Sequence, residues 1–102
     1  NPWLKEYNLL KLPEIVGISV NQITTGEKRI KTISKKYQPD IESMEGAALH
    51  YVCREFAIPF LQIRTISNEV GERDKTKWDI KIAINNLNKI ILAYLDKLYM
   101  LK

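Results

Sequence analysis

Hydrophobic and polar positions fall into blocks along this chain, and each block predicts an element. Residues 15–24, IVGISVNQIT, are rich in β-branched side chains and predict a strand. Thr25 and Gly26 break it. In residues 27–37, EKRIKTISKKY, Ile30, Ile33 and Tyr37 mark one stripe with the lysines on the other faces, which predicts an amphipathic helix. Gln38-Pro39 ends it, because a residue before proline avoids the helical region. Residues 40–42 read as a short extended piece. Residues 44–57 are apolar nearly all round and predict a helix buried on several sides. A second strong strand is expected over residues 59–67, PFLQIRTIS, and a polar, glycine-containing loop over 68–77. Asp79 then caps a long helix with apolar positions at Ile80, Ile84, Leu87, Ile91, Leu95 and Leu98. The first 14 residues, with Pro2 and Pro13, read as an irregular lead-in.

The order strand, helix, short strand, helix, strand, helix predicts an α/β fold with a mostly parallel sheet and helices on its faces. Residues 1–102 make a single domain at most. Three strands amount to about half of a normal α/β sheet, so unpaired edges are expected, to be filled by a missing half or by a partner. The chain does not begin with Met and is expected to be an excised fragment or a processed form.

Composition narrows the function classes. An apolar content of 45% with 27% charge is that of a soluble globular chain. No apolar run approaches the ~18 residues of a membrane span, so no membrane role is expected. The one cysteine, Cys53, cannot form an intramolecular disulfide, which fits a reducing cytoplasm; it reads as a buried core thiol. With His50 as the sole histidine, the chain falls short of a tetrahedral zinc set, and neither metal nor cofactor is expected. The net charge of +4 is concentrated in residues 27–36, with five basic side chains against one acid. That density can attract nucleic acid, but its spacing is that of a solvated helix face, so nucleic acid is a disfavoured partner.

Ligands of open parallel sheets bind beyond the carboxyl ends of the strands. Two polar clusters are expected there: Glu42-Ser43-Met44-Glu45, and Arg64-Thr65-Ile66-Ser67-Asn68. One helix of about 13 residues joins them, as a crossover between parallel strands would, so both should face one crevice. On an alternating strand Arg64 shares a face with Phe60, Gln62 and Ile66 and needs a partner. Glu42 and Glu45 are the available acids. Either they form a structural ion pair, or carboxylate and guanidinium together orient hydroxyls or a water.

The segment SMEGAALHYVCREFAIPFLQIRTISN resembles the purine nucleosidase and nucleoside phosphorylase superfamily. In that family a Met-Glu pair opens a helix and Ile-Ser-Asp or Ile-Ser-Asn ends the following strand. ESMEGAA, IPFLQIRTISN, the charged loop to Trp78, AINNLNK and GISVNQITTG are most similar to its futalosine hydrolase branch, which serves menaquinone biosynthesis. The resemblance covers residues 13–90. It implies a three-layer α/β/α nucleoside phosphorylase-like fold, of which this chain would be the C-terminal half, and a homo-oligomer. It also implies hydrolysis of the N-glycosidic bond of a purine nucleoside, futalosine, with release of hypoxanthine.

Site roles follow from the resemblance position by position. Met44 would pack on the ribose, while Glu45 would bond the ribose hydroxyls and help hold the attacking water. Arg64 would sit close to that water. Asn68 would contact purine N7, supported by Ser67. Ser43 stands in the substrate-binding turn where other nucleosidases carry a further glutamate, a departure that suits the futalosine branch. As the bond lengthens, a donor at N7 stabilises charge on the leaving base. An amide suffices for a 6-oxopurine, although asparagine can also pair with adenine N6 and N7. The principal base of the family lies in the half absent here, so the fragment alone is expected to be inactive. Purine nucleoside phosphorylase and methylthioadenosine/adenosylhomocysteine nucleosidase are the enzyme alternatives. A non-catalytic interaction domain using the basic helix is the alternative of another class.

Overall fold

A computed structural model describes residues 1–101. It contains α1 (Leu4–Tyr7), β1 (Gly17–Ser19), α2 (Glu27–Tyr37), β2 (Ile41–Ser43), α3 (Gly46–Glu55) and α4 (Ile80–Tyr99), with a short 3-10 turn over Lys75–Lys77. The lead-in thus holds one helical turn. The fold is α/β.

β1 and β2 pair in parallel, with Gly17 opposite Ile41, Ile18 opposite Glu42 and Ser19 opposite Ser43. Backbone bonds from Val20 N to Ser43 O (2.9 Å) and from Asp40 N to Val16 O (2.7 Å) prolong the ladder at its two ends. The strand expected over 15–24 is therefore shorter, because pairing can extend only as far as β2 does. β2 is closed off by Pro39 on one side and by the turn into α3 on the other.

The second strong strand does not form. Within 59–67 the one backbone–backbone bond is Asp79 N to Ser67 O, 2.6 Å. A strand is defined by its neighbour, and this segment has none among the described residues. Side chains hold it instead: Asn1 Nδ2 donates to Phe60 O (3.0 Å), and Thr65 Oγ1 donates to Ala83 O on α4 (2.8 Å). Among the described residues the sheet has two strands.

The helices follow the sequence more closely in their bounds. However, α3, expected to be buried on several sides, buries only Gly46 and Cys53 and leaves Leu49, Tyr51 and Val52 exposed, because little of the chain packs against it besides β1. Gln38 ends α2 in the left-handed region, and its N–H donates to Ser34 O at 3.0 Å. The Asp79 carboxylate accepts from Ile82 N at the start of α4. Tyr94 OH donates to Tyr7 O (2.9 Å) and ties α4 to α1, whereas Trp78 Nε1 donates to Glu72 O (2.7 Å) and closes the polar loop. Gly71 in that loop, at φ 95°, lies so close to α2 that an added Cβ would stand 2.8 Å from Ile30 Cδ1.

The core is small. Cys53 and Ala83 are its buried apolar residues, and helix α3 packs on β1. The Cα radius of gyration is 15.4 Å, against about 13 Å for a compact chain of this length. The accessible surface is 8460 Å², where a compact monomer of this mass exposes about 6,000 Å².

Candidate active site

The carboxyl ends of β1 and β2 lie level, with Ser19 opposite Ser43. Just before that edge, Glu42 is half-buried and already engaged. Its carboxylate accepts from Thr24 N (3.1 Å) and, at short range, from Thr24 Oγ1. Thr24 is 2% exposed and is the buried polar residue among the described residues. Glu42 therefore clamps the loop between β1 and α2. It does not brace Arg64, and no ion pair joins Arg64 to Glu42 or Glu45; both offers of that pair are corrected by the positions of these acids.

Met44 and Glu45 form the turn out of β2, and both are exposed. Glu45 is the N-cap of α3 with φ −114° and ψ −10°, so the helix starts at Gly46 instead of Met44. The Glu45 side chain makes no capping bond. One of the free N–H groups of the first turn, that of Ala47, is met by Ser19 Oγ at 2.8 Å. Because β1 supplies that acceptor, the Glu45 carboxylate is left at the positive end of the helix with no structural duty.

Gly46 is the point where the two clusters meet. A Cβ added there would lie 2.8 Å from Ser43 Oγ, 3.1 Å from Gln62 Oε1 and 3.3 Å from Arg64 Nη2. Gln62 Nε2 donates to the Gly46 carbonyl (2.8 Å), and Arg64 Nη2 donates to Gln62 Oε1 (3.1 Å). At the far end of the segment, Ser67 Oγ donates to Asn68 Oδ1 (2.6 Å) and Asn68 Nδ2 donates to Glu69 O (2.9 Å). The Asn68 amide has a second N–H, which these bonds leave for a ligand.

The candidate residues open onto two cavities, not one crevice. Ser67 and Asn68 line a cleft of about 610 Å³ together with Thr24, Ile30, Glu42 and Trp78. Ser43 and Arg64 line a larger groove of about 1020 Å³ beside Gly17, Ser19, His50 and Phe60. Met44 and Glu45 line neither. Thr65 and Ile66 border both spaces. The unpaired segment thus runs between the two cavities, as does the start of β2, whose Ile41 also lines both.

His50 packs edge-on against Phe60, with ring centroids 5.0 Å apart. Desolvation, then the positive N-terminus and Arg54, hold its pKa below the ordinary histidine value, which favours the neutral ring. Sequence reasoning named Gln62 only as a neighbour of Arg64 and passed over Gly46, Ser19 and Thr24. Strand alternation put Gln62 beside Arg64 and was the available signal. The Thr24–Glu42 clamp joins residues 18 apart and had none.

The sequence profile of the phosphorylase superfamily matches residues 13–96. The chain is 27% identical to a futalosine hydrolase of Thermus thermophilus over 82 residues, 80% of this chain and 36% of that protein. It is 30% identical over 83 residues to a futalosine hydrolase of Acidothermus cellulolyticus, covering 79% of this chain and 34% of the relative. A 5'-methylthioadenosine/S-adenosylhomocysteine nucleosidase of Tolumonas auensis is 33% identical over 57 residues, 54% of this chain and 25% of that enzyme. The chain spans about a third of the length of the curated relatives it matches. No solved structure matches it significantly.

Proposed function

The chain belongs to the phosphorylase superfamily, and we propose that it forms the C-terminal part of a purine nucleosidase that hydrolyses the N-glycosidic bond of futalosine and releases hypoxanthine. One observation carries the site: Ser43 from the first cluster and Arg64 from the second converge on Gly46, where the N-terminus of α3 begins. Two futalosine hydrolases match about four-fifths of the chain, and an aminodeoxyfutalosine nucleosidase of Helicobacter pylori matches 87% of it at 24% identity, which supports a substrate of the futalosine type.

In this reading the exposed Glu45 carboxylate accepts hydrogen bonds from the ribose hydroxyls and helps order the attacking water. Met44 gives the sugar an apolar face, and Ser43 lines the same turn. Arg64 stands beside the water. Asn68 donates its remaining N–H to N7 of the departing base, with its carbonyl held by Ser67, and so stabilises the negative charge that grows there.

The rest of the catalytic domain completes a three-layer α/β/α sandwich. Its strands pair with residues 59–67, draw the two cavities together and supply the principal base. The surplus of roughly 2,500 Å² over a compact monomer's surface is the scale of an obligate interface, which supports such a completion and a homo-oligomer built from it. The cytoplasm is the compartment that suits an enzyme of this kind with one free thiol.

The test is base release from futalosine, inosine and methylthioadenosine, followed by chromatography for the 102-residue chain alone and for the completed domain. Hypoxanthine from futalosine by the completed domain, with none from the chain alone, is the expected result. Turnover by the chain alone would overturn the half-domain assignment. Adenine as the sole product would move the substrate to methylthioadenosine, the reading favoured by the Tolumonas relative. Dependence on phosphate would make the enzyme a phosphorylase.

A further inference from the structure

Gln62 belongs to neither polar cluster, yet it is the side chain through which they touch. Its amide makes two bonds of opposite sense, giving a proton to the Gly46 carbonyl at 2.8 Å and accepting one from Arg64 Nη2 at 3.1 Å. The bridge has little room to shift, because Gly46 is buried and even a methyl group there would crowd Ser43, Gln62 and Arg64 together. The chemistry of the bridge is selective. A carboxylate at position 62 would accept from Arg64 but give nothing to the carbonyl, and it would neutralise the guanidinium. An aliphatic chain would do neither. Arg64 is exposed and pairs with no carboxylate, and its single hydrogen bond to Gln62 uses one of five N–H donors.

We propose that Gln62 is a positioning residue: it ties Arg64 to the first turn of α3, holding the guanidinium in place while leaving its charge and its other donors for the bound nucleoside and water. What Arg64 acts on rests on the nucleosidase reading above; how Arg64 is held does not.

The experiment has a kinetic arm in the completed nucleosidase and a spectroscopic arm that needs no turnover. Gln62→Met, similar in length and unable to bridge, lowers kcat by about tenfold or more while KM stays within about threefold, because a misplaced guanidinium fails the transition state more than the ground state. Gln62→Glu also lowers kcat although it still accepts from Arg64. Adding Gln62→Met to Arg64→Ala costs nothing beyond Arg64→Ala itself, since the two act through one group. In nitrogen NMR, the Arg64 guanidinium shows hindered rotation in the parent protein and free rotation in Gln62→Met. Unchanged kcat and KM in Gln62→Met or Gln62→Glu overturn the proposal, as do additive losses in the double variant. If the parent protein hydrolyses no purine nucleoside, the nucleosidase reading falls by itself. The Arg64 signal then decides: if it does not change in Gln62→Met, the bridge is refuted.

Discussion

Thr24 settles what Glu42 does. Two acids flank Ser43-Met44, and the sequence offers both as partners for an arginine or a sugar. In the folded chain Thr24 gives both its N–H and its hydroxyl to Glu42, whereas Glu45 caps nothing and stays exposed. Their contributions to stability should differ accordingly. Thr24→Val keeps the shape and removes the hydroxyl, leaving a half-buried carboxylate short of a partner at a cost of about 1–3 kcal/mol. Glu45→Gln should change stability by less than about 0.5 kcal/mol. Urea unfolding of the two variants checks this, read as a lowered midpoint at unchanged slope for Thr24→Val alone. A similar loss in both would mean that Glu45 has a structural role that the geometry lacks. At this scale the sequence placed Met44 and Glu45 at a helix start, where the structure has them exposed. Thr24, Gln62 and Gly46 were not legible in it, since each gains its role from a residue distant in sequence.

Helices and strands were not equally legible. α2 spans the predicted residues, Glu27 to Tyr37, and α4 begins behind Asp79, because helical hydrogen bonds and caps are made within a few residues. The segment 59–67 has the composition of a strand and no ladder, because β-propensity describes a fit to neighbours that must be present. Its amides give a direct readout. In hydrogen exchange on the isolated chain, residues 60–66 should exchange close to the unprotected rate, while Val20 and Asp40, which donate across the β1–β2 pair, exchange more slowly. On the half-domain proposal, protection should appear over 60–66 when the completing segment is added. Slow exchange there in the isolated chain would show that the segment already has a partner.

The whole molecule carries more apolar surface than a self-sufficient domain of its size. Tyr51 on α3 and Phe56 at its C-cap are 67% and 73% exposed, and on α4 Leu92 is 65% exposed. No helix is long and apolar enough to cross a membrane, among the described residues. Such exposed apolar side chains favour self-association of the isolated chain. The isolated chain should therefore bind an apolar dye such as anilinonaphthalenesulfonate and associate as its concentration rises, both measurable by fluorescence and sedimentation. On the half-domain proposal, addition of the completing segment should suppress both. A monomer that binds no dye and unfolds in one sharp transition would show that the small core suffices.

By itself the sequence determined what short-range physics decides: the α/β order, the amphipathic α2, the cap of α4 and the polar residues at the ends of β2 and of the 59–67 segment. Only the tertiary structure decided which of those residues meet. It gave Glu42 to Thr24, Arg64 to Gln62 and the Ala47 N–H to Ser19, and it left 59–67 without a ladder. Helix periodicity and caps are written within one or two turns of chain. Strand pairing and side-chain partnership depend on segments many residues away, and in DIESMEGAAL they separate an acid that holds a loop from one left open to a ligand.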